Sequence, residues 1–259
     1  MTAKPKSTLI FCLGIILIGI LIQILGKAKG EPLVFPGVLE ILRTFFALLR
    51  NPRTYSMILT TITHLFAALA LSMIFGLCIG MIEGMSDFVR QLLRPLMILL
   101  RSIPMIVLVV MIMVLAKYDR VPYVATSFIL IPLISEAVSE GCRGIDRELI
   151  DVYRLNGKFS LRILFSVYLP LMSGYLRQAY VSAAGMGMKI IVTAEYLVQT
   201  KNSLGKAVHT SGYFNEYQEI YAYALIMILL VLFLTEAPIL VMRKFAQKSE
   251  KYANIEKWK

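Results

Sequence analysis

Hydrophobic positions in this chain fall in long continuous blocks separated by short charged intervals. Crossing about 30 Å of hydrocarbon takes roughly 20 apolar residues in a helix. Six blocks approach or exceed that length: residues 8–26, 58–82, 92–116, 121–138, 174–198 and 220–242. In lipid, every backbone N–H and C=O must find a partner within its own segment, so these blocks predict helices. The period-two alternation of a membrane barrel is absent. The pattern therefore predicts an all-α, polytopic membrane protein with about six transmembrane helices.

Two intervals depart from plain connecting loops. Residues 38–49 read as an amphipathic helix lying on the outer interface. The interval between the fourth and fifth blocks is long and charged, which places it in water at a membrane surface. Within it, Asp146 is positioned to cap a helix whose first turn carries Glu148. Leu149, Val152 and Tyr153 then share one face at i, i+3 and i+4. Asn156-Gly157 stops that helix, because glycine tolerates the left-handed conformation. Ser160 is placed to cap a second short helix, and Pro170 suits the start of the fifth span. The result is a small amphipathic helix whose apolar face needs cover. A groove on a soluble partner and the lipid headgroups both satisfy that need, and physics alone leaves the two open.

Composition supports the membrane reading, since 58% of the 259 residues are hydrophobic and mean hydropathy is +0.73. The formal net charge of +11 is explained by a cytoplasmic lysine and arginine bias, and nucleic acid is not expected as a partner. Placing both termini in the cytoplasm puts Lys4, Lys6, Arg90, Arg94, Arg143, Arg147, Arg154, Lys158 and Arg162 inside, together with the basic tail. The first outer loop opposes this arrangement with Lys27, Lys29, Arg43, Arg50 and Arg53. Lys4 and Lys6 before an apolar run resemble a signal peptide. The run is long, however, and no small-residue cleavage pattern follows it, so it is read as a retained first span. Cys12, Cys78 and Cys142 lack metal-ligand spacing, and His64 and His209 are too far apart in sequence to suggest a metal site. No metal is expected.

The second block carries Ala68, Ser72, Gly76, Gly80 and Gly84 four residues apart, and the fifth repeats the device with Ala179, Ala183 and Gly187. Such stripes let another helix approach closely, so packing within the bundle is the expected use.

The polar interval also carries a resemblance. Its order is acidic–small–small, three residues, glycine, nine residues, apolar, any residue, Leu-Pro. That order is similar to the coupling-loop motif of ABC importer permeases. Asp151 stands where glutamate is usual, and Val152 and Tyr153 stand where two alanines are usual. Gly157, Val167, Leu169 and Pro170 match. Further matches resemble the nitrate/sulfonate/taurine/bicarbonate branch. Pro32-Leu-Val-Phe-Pro36 resembles "LPSP", and the stretch from Gly76 to Ser86 resembles "GxxxGxxxG(x)S". Arg94-Pro95 with Leu100-Arg101-Ser102-Ile103-Pro104 resembles "P…LRxIP", and Ala194-Glu195 with Leu204-Gly205 resembles "AAE…GLG". Together these cover roughly residues 32 to 245. The branch usually has tryptophan near position 188, where this chain has Met188.

The resemblance implies the type I ABC importer permease fold and a homodimer of permeases in a bacterial inner membrane. It also implies two ATP-binding subunits and an extracytoplasmic substrate-binding protein. ATP and Mg would be held by the partner ATPase, with no cofactor in this chain. Residues 1–57 would hold the first span and the outer amphipathic segment. Residues 58–245 would form the permease core with its coupling loop at 141–172, and 246–259 a basic cytoplasmic tail. Asp151, Val152, Tyr153, Gly157, Leu169 and Pro170 would contact the ATPase.

Ionisable residues inside spans are expensive and are functional candidates by default. Arg101 adjoins Ser102 and Pro104, where the third block should bend or break. A cation beside a helix discontinuity suits an anionic substrate. It suits a structural ion pair equally, and the structural role is preferred. Lys189 lies near the middle of the fifth block. Glu195 is six residues on and faces elsewhere, so a direct pair between them is not expected. Lys189 is assigned to an aqueous pathway or an intramembrane salt bridge. Glu195 is assigned to an outer gate or to the segment at Leu204-Gly205. Met188 completes the pathway candidates, and His64 is read as a satisfied buried histidine.

No catalytic residue is expected. The chain shows no histidine pair, nucleophile elbow or carboxylate dyad, and no phosphate loop of the Gly-x-x-x-x-Gly-Lys-Ser/Thr kind. The leading expectation is a permease subunit that moves a small solute, with a nitrate-, sulfonate- or taurine-like anion preferred over a vitamin precursor. The rival is a secondary transporter using Arg101, Lys189 and Glu195, which would call for inverted repeats between the halves.

Overall fold

The computed structural model describes residues 34, 36–146 and 167–256, with side chains as far as Glu236. The predicted block at 8–26 lies outside the described residues. So do Asp151, Val152, Tyr153 and Gly157.

Helix α1, Val38–Arg50, starts at Gly37. The Glu40 carboxylate accepts from the Gly37 N–H at 3.2 Å, one half of a capping box, since glycine has no side chain to complete the other. Asn51 ends α1 and caps α2, Pro52–Met85, by accepting from the Arg53 N–H at 3.0 Å. Pro52 occupies the first helical position, where a missing N–H costs nothing. The predicted amphipathic segment is thus a helix, but it does not simply rest on an interface. Phe45 and Leu48 are buried against Leu204, Ala222, Tyr223 and Ile226 of later helices.

Helix α2 holds 34 residues, roughly 50 Å at 1.5 Å per residue, so it must tilt or project from the hydrocarbon layer. It packs along α5, Val121–Arg143, and the small-residue stripe is the reason. A Cβ placed on Gly76 would stand 2.8 Å from Ile134 Cβ. One on Gly80 would stand 2.7 Å from Val138 Cβ, and one on Gly84 would stand 2.5 Å from Cys142 Cβ. Ser72, in the same stripe, hydrogen-bonds its own helix at the Ala68 carbonyl and also approaches the Ser127 carbonyl at 3.4 Å. Helix α6, Ser173–Val198, completes the core. Leu65, Leu130, Ile134, Met172 and Ile191 are fully buried among these three helices.

The block expected as one span at 92–116 is broken. Helix α3, Asp87–Ser102, and α4, Met105–Leu115, meet at 100° across Ile103-Pro104. Pro104 has no N–H to offer the preceding turn, so the bend falls where the sequence places it. Its size makes this either a broken span or a re-entrant excursion. Helix α3 starts at Ser86, whose hydroxyl accepts from the Val89 N–H.

After α6 the backbone turns through Gln199 and Asn202, both with positive φ. Ser203 then caps α7, Leu204–Tyr213, by accepting from the Lys206 N–H at 3.2 Å. At ten residues, α7 is too short to span a membrane, and no predicted block foreshadows it. Helix α8, Tyr217–Glu256, covers the last block and continues without interruption through most of the expected tail. Among the described residues, four helices are long and apolar enough to cross a membrane, or five if α3 and α4 count as one.

Candidate functional site

The first centre is built around Glu195, which is completely buried near the end of α6. Its Oε1 lies 2.8 Å from His64 Nδ1, an arrangement in which the ring N–H donates to the carboxylate. Its Oε2 accepts from the Thr61 hydroxyl at 2.8 Å and from the Gly205 N–H at 3.2 Å. Thr61 Oγ1 in turn accepts from the Leu204 N–H at 3.0 Å. One carboxylate therefore fastens three helices: α2 through Thr61 and His64, α6 through itself, and α7 through the Gly205 amide, with Thr61 taking the Leu204 amide. Unpaired N–H groups at a helix start favour a negative partner, which Glu195 provides. Gly205 is required by space rather than by conformation. A Cβ there would stand 2.5 Å from both Glu195 Cβ and the Val192 carbonyl.

The second centre is the face of α6 opposite that core. Gln178, Ser182, Gly185, Lys189 and Thr193 follow one another at helical spacing, and Gln178, Lys189 and Thr193 are exposed. A Cβ on Gly185 would meet nothing within 4 Å. Lys189 has no ion-pair partner among the described residues, and it lies about 5 Å from the helix midpoint at the standard rise. An unsatisfied cation facing lipid there would cost about 3 kcal/mol on insertion scales. This face accordingly calls for water or another chain. Ala179, Ala183 and Gly187 occupy the opposite side. A Cβ on Gly187 would meet Leu65 at 3.0 Å and Leu130 at 3.2 Å, which is the close packing expected of that stripe.

Arg101 sits at the α3–α4 break. It donates to the Pro132 carbonyl at 2.7 Å and pairs with Glu136 at 2.5 Å. That pair ties the end of α3 to α5. Met188, the fourth pathway candidate, is buried in the core cluster and shares no open face with Lys189. Arg101, Lys189 and Glu195 are not joined by any hydrogen bond or ion pair among the described residues. Of the six predicted coupling residues, Leu169 and Pro170 are described. They form a single helical turn, Leu169–Leu171, leading into α6.

Sequence reasoning missed the polar stripe on α6 and the partners of Glu195. The stripe was signalled by polar residues at i, i+4, i+11 and i+15, with a glycine at i+7, inside an apolar run. No local signal marks the approach of Thr61 and His64, more than 130 positions away.

No curated protein matches the chain by sequence. Among solved structures, it is similar to a chain of the MetNI methionine ABC transporter in inward facing conformations. Identity is 18%, the TM-score is 0.58, and the match covers 75% of this chain and 98% of that one. At that identity the likeness shows the fold, the type I ABC permease arrangement. The model of the family described as "Binding-protein-dependent transport system inner membrane component" matches residues 72–251, which leaves no place for a self-sufficient secondary transporter. Its match spans α2 from Ser72, the α3–α4 break, the Lys189 face, the Glu195 and Gly205 side of the first centre and most of α8, and on that extent the chain belongs to this family of multi-pass, non-enzymatic ABC importer subunits.

Proposed function

We propose that this subunit forms, with a second copy of itself, the membrane pathway of an importer for a small anion of the nitrate, sulfonate or taurine kind. An extracytoplasmic binding protein delivers the solute, and two ATP-binding subunits holding ATP and Mg drive the cycle. The observation that carries the reading is Lys189, a cation near the middle of a spanning helix on an open polar face. Pairing two copies across that face encloses the lysines in a shared, water-filled path. They would draw an anion in without trapping it, because water screens them. Arg101 stays with Glu136, and Glu195 holds the outer-gate helix α7 in place. Met188 backs the polar face from the core.

Both termini lie in the cytoplasm in this reading. The segment from Asp151 through Gly157 docks in the ATPase, with Val152 and Tyr153 filling its groove. Leu169 and Pro170 pass the movement to α6. Nucleotide binding then favours one of two arrangements of the pathway, and the solute moves with the change.

The test is uptake of labelled nitrate, taurine and a simple alkanesulfonate by cells carrying the complete transporter. Lys189→Met should lower uptake at least tenfold, while Lys189→Arg retains most of it. Undiminished uptake by Lys189→Met would overturn the anion pathway. Co-purification from native membranes supplies the other arm. A binding protein that prefers an uncharged solute or a vitamin precursor would replace the substrate class and leave the architecture intact.

A further inference from the structure

A cleft of about 550 Å³ opens between α3 and the adjoining faces of α2 and α5. It lies at the end of the bundle from which residues 147–166 depart. The size suits a small organic group. Pro132, Glu136 and Ser139 line it from α5. At 100° per residue, these positions lie well away from Leu130, which meets Gly187 of α6. The cleft is therefore separate from the polar face that bears Lys189.

The charges in the cleft are arranged unevenly. Asp87 is paired with Arg143, and Arg101 with Glu136. Arg90 and Arg94 also line the cleft, and neither has an ion-pair partner among the described residues. They are one helical turn apart, so their guanidinium groups can converge on a single group. Two planar forks at that spacing match the oxygens of a phosphate. Across the cleft, Glu83 is 6% exposed, and its described partner is the neutral Ser135 hydroxyl at 2.8 Å. A buried carboxylate without a cation is costly. Beside it, the buried Ser139 hydroxyl has no hydrogen-bond partner, and such groups rarely remain unsatisfied. The outward face of α3 presents Phe88, Leu92, Leu96 and Leu99, each about half to three-quarters exposed.

We propose that this cleft binds a phosphate–ammonium zwitterion of the phosphoethanolamine type. The phosphate lies between Arg90 and Arg94. The ammonium lies against Glu83 and Ser139 and supplies the missing cation. The same chemistry is offered by a membrane lipid headgroup and by the free compound. The apolar face of α3 would lie along the acyl chains if a lipid is the source.

The test is native mass spectrometry and thermal shift on the purified full-length chain in mild detergent. The titrants are phosphatidylethanolamine, phosphatidylcholine and phosphatidylglycerol with identical acyl chains, and free O-phosphoethanolamine. The expected result is at least tenfold preference for phosphatidylethanolamine over phosphatidylglycerol. Glu83→Gln should abolish that preference, and Arg90→Gln/Arg94→Gln should lower binding of the ethanolamine headgroup at least tenfold. Retention of the lipid through washes that remove the free compound identifies the lipid as the source. Equal or tighter binding of the free compound identifies a soluble zwitterion. Equal binding of phosphatidylglycerol by the unaltered chain overturns the proposal, and that comparison does not depend on a variant folding.

Discussion

Glu195 shows how much one side chain can hold in a membrane protein. Its carboxylate takes three hydrogen bonds from two other helices in a place water does not reach. Removing one partner of such a buried set leaves the others unsatisfied, and Glu195→Ala should destabilise the fold by about 3 kcal/mol. Chemical unfolding in detergent would measure this, and a loss below about 1 kcal/mol would show the cluster to be incidental. Gly205→Ala attacks the same junction from the other side. The Val192 carbonyl that a methyl group would strike is backbone, so relief requires α7 to move away. Limited proteolysis should then cut between Gln199 and Ser203 faster than in the unaltered chain, and an unchanged rate would contradict the account. Glu195 was legible in the sequence as an intramembrane acid near Leu204-Gly205. Its bonds to Thr61 and His64 were not, because nothing local in residues 58–66 marks which way they face.

At the level of the helix, punctuation was the legible part. Pro104 breaks a helix where its chemistry says it should, whereas Asn51-Pro52 and Ser86-Asp87 start helices six and five residues ahead of the apolar blocks at 58 and 92. What these signals withheld was angle and partnership. Pro104 announced a break, but the 100° turn also depends on how α4 seats Leu108, Val109 and Ile112 against α5 and α6. Helix α7 escaped notice for a related reason: its span is short, and its face is defined by packing on α1 and α8. The coupling segment raises the opposite case, where sequence speaks most clearly. If Gly157 reverses the chain between two short helices, Gly157→Val places a branched side chain in a left-handed conformation. ATP-driven uptake should fall to background while membrane insertion, read by protease accessibility, is unchanged. Normal uptake by this variant would remove the reversal role.

Across the whole molecule, the apolar blocks dictated the membrane class, while the block at 92–116 proved to be two helices meeting at 100°. The polar stripe from Gln178 to Thr193 became visible as a single open face only once the helices were placed. The packing of α2 on α5 has a mechanical meaning beyond stability. At Gly76, Gly80 and Gly84 the backbone of α2 lies directly on Ile134, Ser135, Val138 and Cys142 of α5, with no room for even a methyl group. Surfaces meshed at that clearance cannot slide past one another in small steps, since any intermediate register drives side chains into the opposing backbone. The pair must travel as one piece, and alternation of the pathway has to be hinged elsewhere, at Ile103-Pro104 or between Gln199 and Ser203. A cysteine trap across α2 and α5 would then be a silent reporter, closing to the same extent with and without nucleotide. A trap across α3 and α4, on either side of Ile103-Pro104, would track the transport cycle.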